Sequence, residues 1–391
     1  MDDKTSTQFA RDIMADFARL TGLEPVSKTP RRYLWTDAFA VCNFLELWRR
    51  TGMEKYKELA LNLIDQVHKV LGRHRDDDFR QGWISGLDED KGRKHPTRGG
   101  LRIGKGLSER KPGDPLDEQL EWERDGQYFH YLTKWMHALN RVSIVTGNST
   151  YNRWAIELAK AAHAGFVYGV PHVSQKRMHW KMSIDLSYPL VMSMGHHDPL
   201  DGLITFSQLN ATAVTDRERP AGFDLTAEIA DMAHICRGKD WTTDDALGLG
   251  GLLSDAYRVA QLVVRRDLNQ TDLLSVLLVD SLVGLKSFAT QKTLRYPAEY
   301  RLAFRELGLS IGLHAIEKLK TLCEQQKGTP PGGQKIVTSI DNLLQFVSIG
   351  EMIEEFWLEE THRQSDTWTE HRDINMVMLA TTLAPDTYLT I

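Results

Sequence analysis

Residues 121–168, EWERDGQYFHYLTKWMHALNRVSIVTGNSTYNRWAIELAKAAHAGFVY, read as one helical hairpin with a polar leading edge. Counted from Asp125, the residues Phe129, Leu132, Met136 and Leu139 recur at offsets of 4, 7, 11 and 14, which is one face of a helix. Thr146-Gly147 then stops that helix, and a second apolar stripe returns from the turn. Arg124, Asp125, Gln127, Tyr128 and His130 crowd the point where the first helix begins.

The same layout stands earlier in the chain. Asp37 is followed by Val41, Phe44 and Trp48, and TGMEKYKELALNL from Thr51 shares Thr, Gly, Tyr, Ala and Leu in register with TGNSTYNRWAIEL from Thr146. Such internal similarity marks a repeated helix pair. The first pair is expected at 37–51 and 54–71, after an N-terminal helix ending at Gly22. Four further pairs follow from helical periodicity: 182–194 with 199–213, 225–236 with 244–266, 273–290 with 298–326, and 336–346 with 351–360. A Pro-Pro-Gly-Gly turn at 330–333 precedes the last. Strand signals are sparse. The expected fold class is all-α, six hairpins in an (α/α)6 toroid, with an open solenoid as the alternative. The expected organisation is an N-terminal helix and linker at 1–30 and one domain at 31–391, interrupted by a long loop at 76–121. Loops of that length often bind ligands. Its centre, KGRKHPTRGGLRIGKGLSERK, is basic enough to recognise a carboxylate or phosphate, or to be a solvated surface.

Composition narrows the function classes. Of 391 residues, 41% are hydrophobic and 26% charged, as in ordinary globular chains. A net charge of -5 argues against general nucleic-acid binding. The N-terminus lacks the basic and apolar regions of a secretory signal, and the longest apolar run, LLSVLLVDSLVGL, is short and broken by Asp280. A cytoplasmic protein without a membrane span is expected. Cys42, Cys236 and Cys323 lie far apart and form neither a disulfide framework nor a CxxC metal site. There is no Walker loop, dinucleotide fingerprint, HExxH or GxSxG motif, and no cofactor is implied. Adjacent His196 and His197 with Asp198 are metal-ligand types without a spaced partner motif, so no metal is expected. Oligomeric state is left open.

The WTDAF start of the first hairpin, the RDGQYFHYLTKWMHAL start of the second, the TG-x3-Y-x3-A-x2-L turns after both and the hairpin count resemble the six-hairpin glycosidase superfamily. The resemblance implies carbohydrate chemistry: glycoside hydrolases, unsaturated-uronyl hydrolases, polysaccharide lyases, and sugar epimerases of the N-acylglucosamine 2-epimerase type. Asp37 and Asp125 resemble the aspartates of the uronyl hydrolases. His179, His234 and His371, with Arg32 or Arg124, are the residues available for epimerase chemistry.

The leading expectation is hydrolysis of a glycosidic bond in a small or acidic saccharide, with Asp37 and Asp125 as the carboxylate pair that such cleavage requires. Against it, an aspartate at a helix start is also an ordinary cap, and the helix dipole opposes the raised pKa of a general acid. Trp35, Arg124, Gln127, Tyr128, His179, Trp180, Lys181, Trp368 and His371 are the candidate substrate contacts. Trp180 offers an apolar platform and Lys181 a cation, while Trp368 and His371 belong to a polar group, SDTWTEHRDIN, that follows the last hairpin. A sugar epimerase or isomerase is the second reading, and a non-catalytic ligand-binding toroid the third.

Overall fold

The computed structural model describes residues 2–170, 176–216, 222–268, 270–326 and 333–391. In chain order its helices are α1 Asp3–Leu20, α2 Leu34–Thr51, α3 Glu54–Leu71, α4 Glu89–Lys94, α5 Glu118–Glu123, α6 Phe129–Thr146, α7 Ser149–Phe166, α8 Asp198–Thr215 and α9 Thr226–Cys236. There follow α10 Ala246–Arg265, α11 Thr271–Thr290, α12 Ala303–Gln325, α13 Gly333–Leu344, α14 Val347–Leu358, α15 Asp366–Glu370, α16 Arg372–Leu383 and α17 Asp386–Leu389. Five short strands lie between α5 and α8: β1 Gln127–Tyr128, β2 Val167–Gly169, β3 Lys176–Met178, β4 Lys181–Met182 and β5 Pro189–Val191. They form an antiparallel sheet of order β1-β4-β5 and a β2-β3 pair. Residues 330–332 of the expected Pro-Pro-Gly-Gly turn lie outside the described residues.

The repeat is present, in a register that only one of its two sequence signals gives correctly. Helices α2 and α6 are each 18 residues long, and each is followed, after Gly52-Met53 or Gly147-Asn148, by an 18-residue partner. Both turn glycines adopt the left-handed conformation, at φ 67° and 70°. Thr51 and Thr146 each donate a hydroxyl to the carbonyl four residues back, at 2.6 and 2.7 Å. In this register Asp37 corresponds to Leu132, and Asp125 lies before the helix altogether. Pairing Asp37 with Asp125 slips the repeat by two helical turns, which keeps the apolar face and so conceals the error.

The later hairpins are also shifted from expectation. Residues 182–194, read as a helix, instead form β4, a tight turn and β5, with residues 181–184 all buried and Leu190 buried between half-exposed neighbours. Helix α8 therefore pairs with α9, α10 with α11 and α12 with α13. The C-terminal stretch SDTWTEHRDIN is not a tail but the short α15 and the start of α16. The long loop contains α4 and α5, and its basic residues meet carboxylates of this chain: Arg98 pairs with Glu157, Arg110 with Glu121, and Arg80 with Asp78, Glu109 and Asp185.

The chain divides into two compact units, Arg19–Leu45 with Glu54–Arg237, and Met1–Ala18 with Glu46–Met53 and Gly238–Ile391. In the first, α8 is its central helix: every residue from Asp198 to Leu209 is buried. One of its polar groups, Gln208, enters a buried ladder in which His137 meets Gln208 at 3.0 Å, Gln208 donates to Asn140 at 2.7 Å, and Asn140 donates to Asn152 at 2.9 Å. Helix α7, by contrast, buries mainly one face, through Ala155, Leu158, Ala159, Ala162 and Phe166.

In the second unit α10 packs directly on α12. A Cβ added to Gly250 would stand 1.9 Å from the Gly308 carbonyl oxygen, and one on Gly312 would stand 2.6 Å from Gly250 Cα, so glycine is what admits the approach. The chain end is tied to the same unit, with Arg258 donating to the Tyr388 carbonyl at 2.8 Å and Gln261 to that of Leu389 at 3.0 Å. Residues Thr271–Arg295 and Gly333–Leu358 are long and apolar enough to cross a membrane by length and composition alone. Asp280, within the first of them, accepts the Trp241 N–H on its carboxylate at 3.0 Å.

Candidate functional site

Asp125 sits two residues beyond α5 and is fully buried. Its Oδ2 accepts from Arg102 Nη1 at 2.9 Å and Arg75 Nη1 at 3.4 Å, and its Oδ1 accepts from the Gly104 and Gly126 N–H groups at 3.0 Å each. Gly126, at φ 149°, lies where a Cβ would approach the Met182 carbonyl at 2.8 Å. All the lone pairs of this carboxylate are occupied by the chain itself. Asp37 is equally buried, taking the Tyr33 N–H on Oδ2 at 3.0 Å and facing Arg32 Nη1 from Oδ1 at 3.4 Å. It satisfies a donor that the start of α2 would otherwise leave open.

Gln127 and Lys181 are committed in the same way. Gln127 Oε1 accepts the Leu101 N–H at 2.9 Å, while its amide donates to the Gly99 and Ile184 carbonyls at 3.1 and 2.6 Å. Lys181, wholly buried, gives its three protons to Glu121 Oε1 and to the Glu121 and Arg124 carbonyls, at 2.8, 2.7 and 2.8 Å. Burial pulls its pKa down despite the Glu121 carboxylate. Arg124 donates to the Ser108 carbonyl at 3.2 Å. Trp35 is buried against Phe39 at 4.4 Å.

A different subset of the candidates gathers with residues that sequence reasoning had not placed in the site. Strand β1 pairs Tyr128 with Lys181 of β4, which brings Trp180 within 5.5 Å of the Tyr128 ring. Trp122, at the end of α5 and 52% exposed, stands edge-on to Trp180 at 5.1 Å. The first turn of α6 adds His130 at 5.4 Å and Tyr131 at 5.3 Å from Tyr128. From the start of α2, Tyr33 meets Tyr131 hydroxyl to hydroxyl at 2.6 Å. The Lys181 ammonium lies 5.2 Å from the Tyr128 ring centre, and Lys105 lies 5.5 Å from that of Tyr33. The result is an aromatic surface with hydroxyl and imidazole groups at one side.

The phenols stay neutral. Burial raises Tyr33 to about 12, against the opposing hydrogen bond from Tyr131, and pushes Tyr128 and Tyr131 higher. Since one of the paired hydroxyls must donate to the other, the second keeps a proton to offer.

Beside this surface His130 Nδ1 lies 3.6 Å from Asp198 Oδ1, where Asp198 opens α8. His130 Nδ1 and Asp198 Oδ2 are both buried and have no hydrogen-bond partner in the chain. Buried polar atoms are rarely left so. The sequence signal for this pair existed, since both residues stand at helix starts. In the sequence His130 stands at the polar edge of the second hairpin and Asp198 among metal-ligand types, and no local spacing links the two. Among the described residues no cluster of histidine, cysteine and carboxylate ligands suits a metal ion.

The remaining candidates lie elsewhere. His179 stacks on Tyr168 at 4.2 Å, and burial lowers its pKa. His234 is in the last turn of α9, and Arg32 donates to the Thr21 carbonyl at 2.8 Å. Trp368 and His371 belong to the second compact unit, where Trp368 packs on Trp357 at 5.6 Å and His371 stands edge-on to Phe304 at 5.4 Å.

No family model matches the chain, and a search of curated proteins finds no match. Solved structures do. The α-mannanase of family GH76 from Bacteroides thetaiotaomicron aligns over 100% of this chain and 97% of its own, at 8% identity and a TM-score of 0.52. Cellobiose 2-epimerase from Spirochaeta thermophila aligns over 95% and 97%, at 11% identity and a TM-score of 0.48. Cellobiose 2-epimerase from Bacillus thermoamylovorans aligns over 81% and 76%, at 11% and 0.45. The full-length match to the mannanase structure shows the fold: the chain has an all-α (α/α)6 toroid fold.

Proposed function

We propose that this protein is a carbohydrate-active enzyme that moves a proton on a small reducing saccharide, an epimerase or isomerase, with the sugar on the Trp122, Trp180 and Tyr128 surface. The observation that carries the reading is the contrast in commitment: His130 Nδ1 and Asp198 Oδ2 have no partner, while the lone pairs of Asp125 are filled and both Asp37 oxygens face donors. The fold of a mannanase and an exposed aromatic platform support a sugar ligand.

In this reading the imidazole of His130 takes the proton on the carbon next to the carbonyl of the open-chain sugar, leaving an enediolate. It returns the proton either to the same carbon after the enediolate has turned its other face to the ring, or to the neighbouring carbon as a proton passes from one enediolate oxygen to the other. Asp198 steadies the imidazolium, and a 3.6 Å separation can shorten when substrate arrives. The free proton of the Tyr33 and Tyr131 pair bonds the sugar oxygen on which negative charge develops.

Hydrolysis needs an acid and a second carboxylate with oxygens free to reach the glycosidic bond. Asp37 and Asp125 meet that need only if their guanidinium and amide partners are displaced. The test is incubation with neutral reducing mono- and disaccharides in D2O. Deuterium entering the sugar at the carbon next to the carbonyl, without cleavage, is the expected result. Release of shorter sugars without deuterium incorporation would replace this reading with the hydrolase.

A further inference from the structure

The first compact unit holds a cavity of about 320 Å³ lined by Arg98, Ile156, Glu157, Lys160, Ala161, Gly222 and Phe223. None of these residues belongs to the aromatic surface. We propose that this cavity is a second small-molecule site, taking a neutral, hydroxyl-bearing molecule of about monosaccharide size that hydrogen-bonds Glu157. The inference does not depend on the reaction proposed above.

Glu157 carries it. The side chain is 6% exposed, and its Oε1 is held by His95 Nδ1 at 2.6 Å with Arg98 Nη2 at 3.5 Å. Its Oε2 is buried and has no partner in the chain. A buried carboxylate oxygen left without a donor carries the desolvation cost of burial with no compensating bond. A ligand hydroxyl would supply that bond. The volume is at the lower end of the range for small-molecule sites.

The lining selects among ligand classes. Arg98 and Lys160 place two cations at the cavity, one paired with Glu157 and the other with Glu228 at 3.1 Å. They repel an ammonium group, while the Glu157 carboxylate repels an anion. Burial raises the Glu157 pKa against the pull of His95 and Arg98. A hydroxyl donates to the ionised form and accepts from the neutral one, a versatility that neither ion has. Ile156, Ala161 and Phe223 supply an apolar wall, and Phe223 a ring face suited to the C–H side of a pyranose.

Saturation-transfer-difference NMR on the full chain, with D-glucose, D-mannose, ethanolamine and acetate as probes, tests the proposal. The Trp122→Ala variant reduces binding at the aromatic surface, and Ala161→Phe fills the cavity while leaving Glu157 and its partners in place. The expected result is a sugar signal that persists in W122A, is lost when A161F is added to W122A, and weakens about ten-fold when Phe223→Ala is added to W122A instead. A sugar signal that vanishes in W122A, or that survives unchanged in both the W122A/A161F and W122A/F223A double variants, overturns the second site. A signal from ethanolamine or acetate stronger than from either sugar overturns the ligand class. Turnover in A161F equal to wild type, alongside loss of this signal, keeps the outcome separate from that of the proposed reaction.

Discussion

Asp125 and Asp198 are both buried carboxylates of the first compact unit, and both lie next to basic side chains. Around Asp125 two arginines and two backbone N–H groups fill the available lone pairs. Around Asp198 the facing basic group is the His130 imidazole at 3.6 Å, and Oδ2 meets no donor from the chain. Burial and charge are shared; only the accounting of hydrogen bonds separates a brace from a reagent. Lys181 falls on the Asp125 side of that division and His130 on the Asp198 side.

The contrast breaks most directly at His130. Replacing it with Ala is expected to lower turnover by roughly 10²–10⁴-fold, the usual worth of a positioned acid–base group. The urea midpoint should move little, because the ring makes no hydrogen bond that the fold needs. Unchanged turnover in this variant would remove His130 from the reaction and leave the aromatic surface as a binding site only.

Asp125→Ala should act the other way. It leaves two guanidinium groups and two amides without their acceptor, and removing one partner of a buried ion pair costs about 3–5 kcal/mol. Denaturant unfolding should show the loss, with the activity of the remaining folded protein close to wild type. A variant as stable as wild type but inactive would make Asp125 the reagent and reverse the comparison.

Lys181→Met sharpens the same boundary. Glu121 Oε1 and two carbonyls lose their donor, for a cost of roughly 1–3 kcal/mol, and a slackened Tyr128 should raise KM more than it lowers kcat. Trp122→Ala, at an exposed ring, should weaken sugar binding by about 0.5–1.5 kcal/mol with no change in stability.

A separate set of expected effects is pH slopes from committed histidines. His314 lies between Glu317 and Glu354 at 3.1 and 2.7 Å. Burial opposes its charge, but the two carboxylates outweigh it and hold the pKa at about 9. Its folded pKa is above the unfolded value of 6.5, so its contribution is complete below pH 6.5 and is lost as pH rises through 9. His68 is the converse. Full burial, with its ring accepting the Trp135 N–H at 3.2 Å, depresses it to about 3. Its contribution is complete above pH 6.5 and falls as the pH drops from there towards 3. Unfolding free energies measured from pH 5 to 10 should slope accordingly, and His314→Gln should flatten the alkaline limb.

Much of the architecture was legible because helical spacing is local. The Thr-Gly pairs located the turns of the first two hairpins to the residue, since both a left-handed glycine and a hydroxyl bonding back into the helix are written in two adjacent letters. The third hairpin was misread because β4 and β5 are too short for alternation to stand out from a helical pattern.

For the site, the aromatic neighbourhood of Tyr128 and Trp180 was legible in the sequence, as was the polar edge that precedes α6. Which of those polar groups is free was not. Asp125, Gln127 and Lys181 find their partners in Arg102, Leu101, Gly99, Ile184 and Glu121, all distant along the chain, and His130 approaches Asp198 only because α6 packs on α8. Sequence alone determined the helices, their repeat and the residue types at their ends, because those depend on neighbours within a few positions. Tertiary structure decided which charges are spent on the fold and which remain available, because a hydrogen bond is satisfied in space by whatever the packing brings within 3 Å or so.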